Sequence, residues 1–195
     1  MQSWPALPEI LLGPVGPITA DLIARGISDF RAAGRYLHHL PYGRNSDRSD
    51  FRLVLPEGRG TCSTKHALLA ELAREQNLPI VLTLGIYEMH ERNTPGVGVV
   101  LDKYGLPSLP EAHCYLRYEG TRIDITRSGA EPTEPIDRFL SEEAIIPAQI
   151  GDYKVEFHQK FIHSWMVNTD VAGNRSFAEV WKIREECIAA LAQCS

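Results

Sequence analysis

Long apolar runs are missing. No segment of the 195 residues approaches the ~20 consecutive apolar positions that a membrane-spanning helix requires, which excludes membrane insertion. Basic clusters are missing too: 20 Lys and Arg stand against 25 Asp and Glu, a formal charge of −5 with no Lys/Arg block. Nucleic-acid partners are excluded, since phosphate contacts need clustered positive charge. Cysteine is scarce and unpaired in pattern. Cys62, Cys114, Cys187 and Cys194 form no CxxC, so neither a disulfide framework nor structural zinc is expected, and a reducing compartment suits the chain. His38 with His39, and His158 with His163, make no metal-ligand spacing with the cysteines. No metal and no cofactor are expected. Before Arg25 no basic residue occurs, and Pro5, Pro8, Pro14 and Pro17 interrupt the apolar stretch. That is no secretory signal, and the expected location is cytoplasmic.

What remains is ordinary globular composition, 44% hydrophobic and 23% charged, of a length that suits one domain over 1–195. The chain opens with an irregular proline-rich lead-in. A helix is then predicted over 18–39, with Thr19 as its cap and Leu22, Ile23, Ile27, Phe30, Ala33 and Leu37 at helical spacing until Pro41. Residues 42–50 read as a polar loop and 51–55 as a short extended piece leading to Gly60.

At Gly60 the pattern changes character. Gly60-Thr61-Cys62 delivers a cysteine to the first turn of a helix whose Ala67, Leu68, Leu69 and Leu72 form an apolar stripe. Free N–H groups and partial positive charge at a helix N-terminus favour a thiolate over a thiol, and the Cys62 N–H can receive a developing oxyanion. Leu78-Pro79 stops this helix, and Ile80 to Tyr87 is a β-rich run suited to a central strand. Residues 91–110, with Pro95, Gly96, Gly98, Gly105, Pro107 and Pro110, read as a surface excursion rimming a cleft.

Ala112 to Tyr118 and Thr121 to Thr126 then flank Glu119-Gly120, a hairpin by spacing and turn chemistry. With a two-residue turn, positions summing to about 239 face each other. Tyr115 falls opposite Asp124, and His113 lies one diagonal step away on the same face. A histidine backed by a carboxylate is the base a nucleophilic cysteine needs. The rest reads as an irregular 127–151 with a short helix near 136–140, a strand at Tyr153 to His158 continuing toward Val167, and a helix over 176–193 behind a Ser176/Glu179 capping box.

These pieces resemble the transglutaminase-like superfamily of papain-like cysteine enzymes. The likeness lies in Gly60-Thr61-Cys62 with the Ala67 to Ala73 helix, in Ala112-His113-Cys114-Tyr115-Leu116, and in Arg122-Ile123-Asp124-Ile125-Thr126, a strand ending in aspartate, a variable residue and threonine. It covers a core of about residues 58–126, with the order Cys, His, Asp. The resemblance implies an α+β fold in which a central helix carrying the cysteine packs against a mostly antiparallel sheet. It further implies a Cys62-His113-Asp124 triad that hydrolyses or transfers acyl groups of a peptide, protein or small amide through a thioester. Cys114 departs from the tryptophan or apolar residue usual after the histidine, and no side-chain oxyanion donor is evident upstream of Cys62, where only Arg59 offers itself.

Other readings are weighed on the same residues. Cys62 alone reads as a packed thiol, and the rival function is a peptide- or protein-binding domain that keeps the fold without the chemistry. His66, one turn beyond Cys62, is a poor base because it shares the nucleophile's helix. Arg44 and Arg48, with Arg59 and Tyr115, are weaker substrate-binding candidates, and a solvated loop is the commoner role of such arginines. A phosphatase loop needs an arginine at position 68, which is Leu68.

Overall fold

A computed structural model describes residues 4–126 and 133–193. Cys194 and the first part of the 127–151 stretch lie outside the described residues.

The predicted 18–39 helix is two helices, α1 (Pro17–Ala24) and α2 (Phe30–His39). Gly26 at φ 79° is the reason: it takes the left-handed conformation that ends α1, and Ile27 N–H closes back on Leu22 O at 3.0 Å. Asp29 restarts the chain as the cap of α2, accepting from Ala32 N–H. Thr19 is not the cap of α1 but lies inside its first turn. Glu75, from a distant helix, instead accepts the N–H groups of Ile18 and Thr19 at 3.0 and 2.8 Å. Residues 51–55 are helical rather than extended: a 3-10 turn at Phe51–Leu53 runs into α3 (Val54–Glu57), which Gly58 ends at φ 62°.

The centre of the molecule is α4 (Cys62–Glu75), buried on almost every side. Thr61 and Thr64 cap it reciprocally, each hydroxyl accepting from the other's backbone N–H. Gly60 has to be glycine for space, because a Cβ there would stand 2.9 Å from Thr64 Oγ1 and 3.0 Å from Val54. Beyond α4 comes β1 (Val81–Met89), then α5 (Gly98–Lys103), a short helix inside the predicted surface excursion.

The strands β2 (Leu109–Tyr118) and β3 (Thr121–Ile123) form the expected hairpin, with Leu116 opposite Ile123. Glu119 and Gly120 both take positive φ, 46° and 75°, as a tight two-residue turn requires. β4 (Ser141–Ile145), unforeseen in the sequence, pairs with β1 on its other side. The sheet is antiparallel throughout, in the order β3-β2-β1-β4. No helix forms at 136–140, where Leu140 N–H instead donates to Ile86 O.

The strand predicted from Tyr153 is a helix, α6 (Asp152–Asn168). Its alternation over six residues misled; the buried set Lys154, His158, Ile162 and Trp165 has helical period. α7 (Phe177–Gln193) follows its capping box, Ser176 Oγ donating to Glu179 at 2.7 Å. One core joins α1, α2 and α4 to Leu82, Leu84, Ile86, Ala112, Cys114 and Leu116 of the sheet, and a second joins α5, α6 and α7 to Tyr87, Met89 and Leu109. The result is an α+β molecule, seven helices with a four-stranded antiparallel sheet among the described residues.

Candidate active site

β3 stops pairing at Ile123, so the 113–115 stretch of β2 has no strand beside it on that edge. The chain after β3 docks on α4 instead: Ile125 N–H donates to His66 Nε2 at 2.9 Å. His66 Nδ1–H in turn donates to Cys62 O at 2.7 Å, which fixes its tautomer as Nδ1–H. Burial holds this ring's pKa down at about 4, so it is neutral, fully engaged and unavailable as a base.

Docking the chain there brings Asp124 to His113. His113 Nε2 donates to Asp124 Oδ2 at 2.5 Å, and the other carboxylate oxygen accepts from Thr126 N–H at 2.9 Å and from the Thr126 hydroxyl. The threonine of the Asp-x-Thr segment therefore fixes the carboxylate's orientation. Burial pushes the Asp124 carboxyl up, but the His113 charge and hydrogen bond, with Thr126, outweigh it and leave the group far below the usual range. With Nε2 committed to Asp124, His113 has Nδ1 left for Cys62. The imidazole is boxed by Tyr87 (ring centroids 5.8 Å apart) and Tyr115 (6.3 Å), while Phe139 packs on Tyr115.

Cys62 is flanked by a second cation. Lys154 of α6 places Nζ 3.7 Å from Cys62 Sγ and donates to Ser63 Oγ at 2.7 Å. Burial pushes the Cys62 thiol up, yet the Lys154 and His113 charges, with hydrogen bonds from His113 and from the Cys114 N–H, overcome this and bring it down to about 6. For His113, burial works against the charged form; Asp124 and Cys62 outweigh it and raise the ring to about 10. Between those values the resting pair is thiolate and imidazolium. Cys114, also buried, goes the other way, lifted by burial to about 11. Burial alone does not make a thiolate; adjacent positive charge does.

Behind Lys154 stands a buried ion pair. Arg184 of α7 grips Glu111, two residues before His113, through Nε at 2.7 Å and Nη2 at 2.5 Å. Burial would raise the Glu111 carboxyl, but Arg184, His158 and Lys154 hold it at about 2. Against burial, the negative charge of Cys62 and of Glu111 raises the Lys154 ammonium above its ordinary value. His158 Nε2–H closes the edge of β2 by donating to Pro110 O at 2.8 Å.

The structure thus brings together Cys62, His113 and Asp124, and with them the first-turn N–H of Cys62, which has no acceptor within its own helix. The weaker candidates are engaged with partners other than Cys62. Tyr115 is fully buried and its hydroxyl donates to Glu142, so it presents no surface to a substrate. Arg44 pairs with Glu185 at 2.6 Å, Arg48 lies 3.9 Å from Asp152, and Arg59 lies 3.6 Å from Glu57. Each is half or more exposed and faces a carboxylate, with Glu185 and Asp152 coming from α7 and α6.

Lys154, Ser63, and the Glu111–Arg184 pair escaped the sequence reading. The one available signal was the four-residue spacing of Lys154 and His158 ahead of Ile162, which places both polar residues on a buried helix face. Among the described residues no group of three or more His, Cys, Asp or Glu side chains is placed to hold a metal ion, and no helix is long and apolar enough to cross a membrane. No family model, curated protein or solved structure significantly matches the chain.

Proposed function

We propose that this chain is a cysteine-dependent acyl-transfer enzyme of transglutaminase-like, papain-like layout, acting as an amide or peptide hydrolase. The observation that carries the reading is the His113–Asp124 bond at 2.5 Å beside a cysteine that opens the central helix. The Cys62 thiolate attacks the substrate's carbonyl carbon. A C–S bond forms, the π pair moves to oxygen, and the Cys62 N–H receives that charge. Collapse breaks the C–N bond, and the leaving amine takes the proton from His113 Nδ1. Water then attacks the thioester while His113 takes its proton; collapse breaks the C–S bond, which returns the Cys62 thiolate and releases the carboxylic acid, and Asp124 holds the ring's tautomer throughout without becoming protonated.

Charge favours a carbonyl substrate over a cationic one. Cys62 is flanked by two positive groups, and the nearby carboxylates of Asp124 and Glu111 are already committed to His113 and Arg184. A guanidinium or other cationic centre would meet like charge there.

The alternative, a peptide- or protein-binding domain without chemistry, takes Cys62 as a packed thiol, in keeping with its 8% exposure and the 6% of His113. Acylation separates the two. After incubation with p-nitrophenyl acetate and a set of peptide amides, acid quenching and intact-mass measurement should show an acyl adduct on native Cys62, absent in Cys62→Ala. A native Cys62 that takes no acyl group, when the unfolded chain does, rejects the enzyme reading.

A further inference from the structure

We propose that Lys154 is a second catalytic cation of this site, one that holds Cys62 as a thiolate independently of His113 and stays beside the charge when it passes to the substrate oxygen. The inference rests on the acyl-transfer reading and adds a group to it.

The geometry is specific. Lys154 comes from α6, 92 residues from Cys62 in sequence, and only 9% of its surface is exposed. Charge is costly in such a place unless it is answered. Among the described residues its hydrogen-bond partners are Cys62 Sγ at 3.7 Å and Ser63 Oγ at 2.7 Å. Ser63 is neutral, so Cys62 is the direct partner able to carry the answering charge. An ammonium has three N–H donors, and two are directed to these atoms. The third has no hydrogen-bond partner among the described residues, and we assign it to an oxygen arriving at the sulfur.

That arrangement suits the chemistry. As the C–S bond forms, the electron pair leaves sulfur and the carbonyl pair moves onto oxygen, so the negative charge shifts by about the length of two bonds. A fixed ammonium beside the sulfur meets it there without reorganisation, supplying the side-chain donor that the sequence upstream of Cys62 does not offer. In its resting state the buried site then alternates in sign: Asp124, His113, Cys62, Lys154, Glu111, Arg184.

Titration of Cys62 has to be read against all the groups facing it. From β2 these are His113, Cys114 and Glu111; from α6, Lys154 and His158; from α7, Arg184; from β1, Tyr87; His66 and Lys65, whose ammonium donates to Leu40 O and Thr126 O, lie on its own helix and Asp124 beyond β3. Lys154 and His113 are the cations nearest the sulfur, so their removal is compared.

The experiment is the rate of iodoacetamide alkylation at Cys62 against pH, read by mass spectrometry, in the wild type, Lys154→Met, His113→Ala and the double variant. With Lys154→Met, the profile should move up by a pH unit or more, so that alkylation at pH 6 falls about fivefold or more. With His113→Ala, part of the low-pH reactivity should remain, and the double variant should lose it. His113→Ala keeps the test decisive even where Lys154→Met does not fold, since a midpoint at or above the ordinary thiol value of about 8.5 in that variant overturns the proposal. A Lys154→Met profile superimposed on the wild type, with His113→Ala displaced, also overturns it and leaves the triad reading standing. Native Cys62 inert at every pH rejects both.

Discussion

The two cations beside Cys62 are held in opposite ways. His113 sits on a strand, and its carboxylate partner is 11 residues away across a two-residue turn, fixed by the Thr126 hydroxyl and N–H. Lys154 sits on a helix that is remote in sequence, and the carboxylate nearest it in charge, Glu111, is gripped by Arg184 from yet another helix. The first arrangement is local and follows once the hairpin closes. The second exists only when α6 and α7 have both docked. The imidazole–carboxylate pair thus depends on a short-range motif, whereas the ammonium beside the sulfur depends on the completed tertiary structure.

The comparison is broken most severely by removing the imidazole. If His113 alone moves protons, His113→Ala should lower kcat/KM on an amide substrate by about 10²–10⁴-fold, the usual contribution of general acid–base catalysis. The wild-type pH profile should be a bell. Its acid limb lies near 6, where the Cys62 thiol gains its proton, and its basic limb near 10, where His113 loses the proton owed to the leaving amine. His113→Ala should abolish the basic limb. A variant that keeps wild-type turnover would remove the imidazole from the mechanism.

Breaking the other side should cost stability first. Arg184→Met leaves the Glu111 carboxylate buried without its partner, and loss of one member of such a pair typically costs about 3–5 kcal/mol. Because the folded-state pKa of Glu111 is depressed to about 2, its stabilisation is present above the ordinary carboxylate pKa and is lost as pH falls through about 2. Urea unfolding at pH 7 should show the full loss in Arg184→Met, with the difference from wild type shrinking toward pH 2. An unchanged urea midpoint at pH 7 would mean that water already reaches the pair.

What the sequence revealed follows the same division. Cys62 at a helix start, the Glu119-Gly120 turn and the sum-of-239 register were readable because turn chemistry and helix capping are local. The break between α1 and α2 is local too: a helix predicted straight through Gly26 overlooks a residue whose positive φ makes it a terminator. Lys154 was not found because six alternating residues, Tyr153 to His158, fit a strand as well as a helix, and only the longer spacing to Ile162 and Trp165 separates the two. The edge strand β4 was hidden by its composition: Ser141-Glu142-Glu143 is poor strand sequence, held by pairing with β1. The Glu111–Arg184 pair has no sequence signal at all, since partners 73 residues apart on different elements meet only through packing.

The smallest perturbation distinguishes what fixes the His113 ring. Gly85 lies opposite His113 in the sheet register, and a Cβ at that position would come within 2.4 Å of Phe139. Gly85→Ala therefore has to displace Phe139, whose ring packs on Tyr115 at 4.9 Å and Tyr87 at 6.3 Å, the two aromatics that box the imidazole. Overpacking of this kind costs about 1–3 kcal/mol. The His113–Asp124 and Lys154–Cys62 contacts lie outside the displaced ring, so the urea midpoint should fall while the pH midpoint of Cys62 alkylation stays near 6. If that midpoint rises with the loss of stability, the aromatic box and not the Asp124 carboxylate sets the imidazole's position. The apparent independence of the His113 side from long-range packing would then be lost.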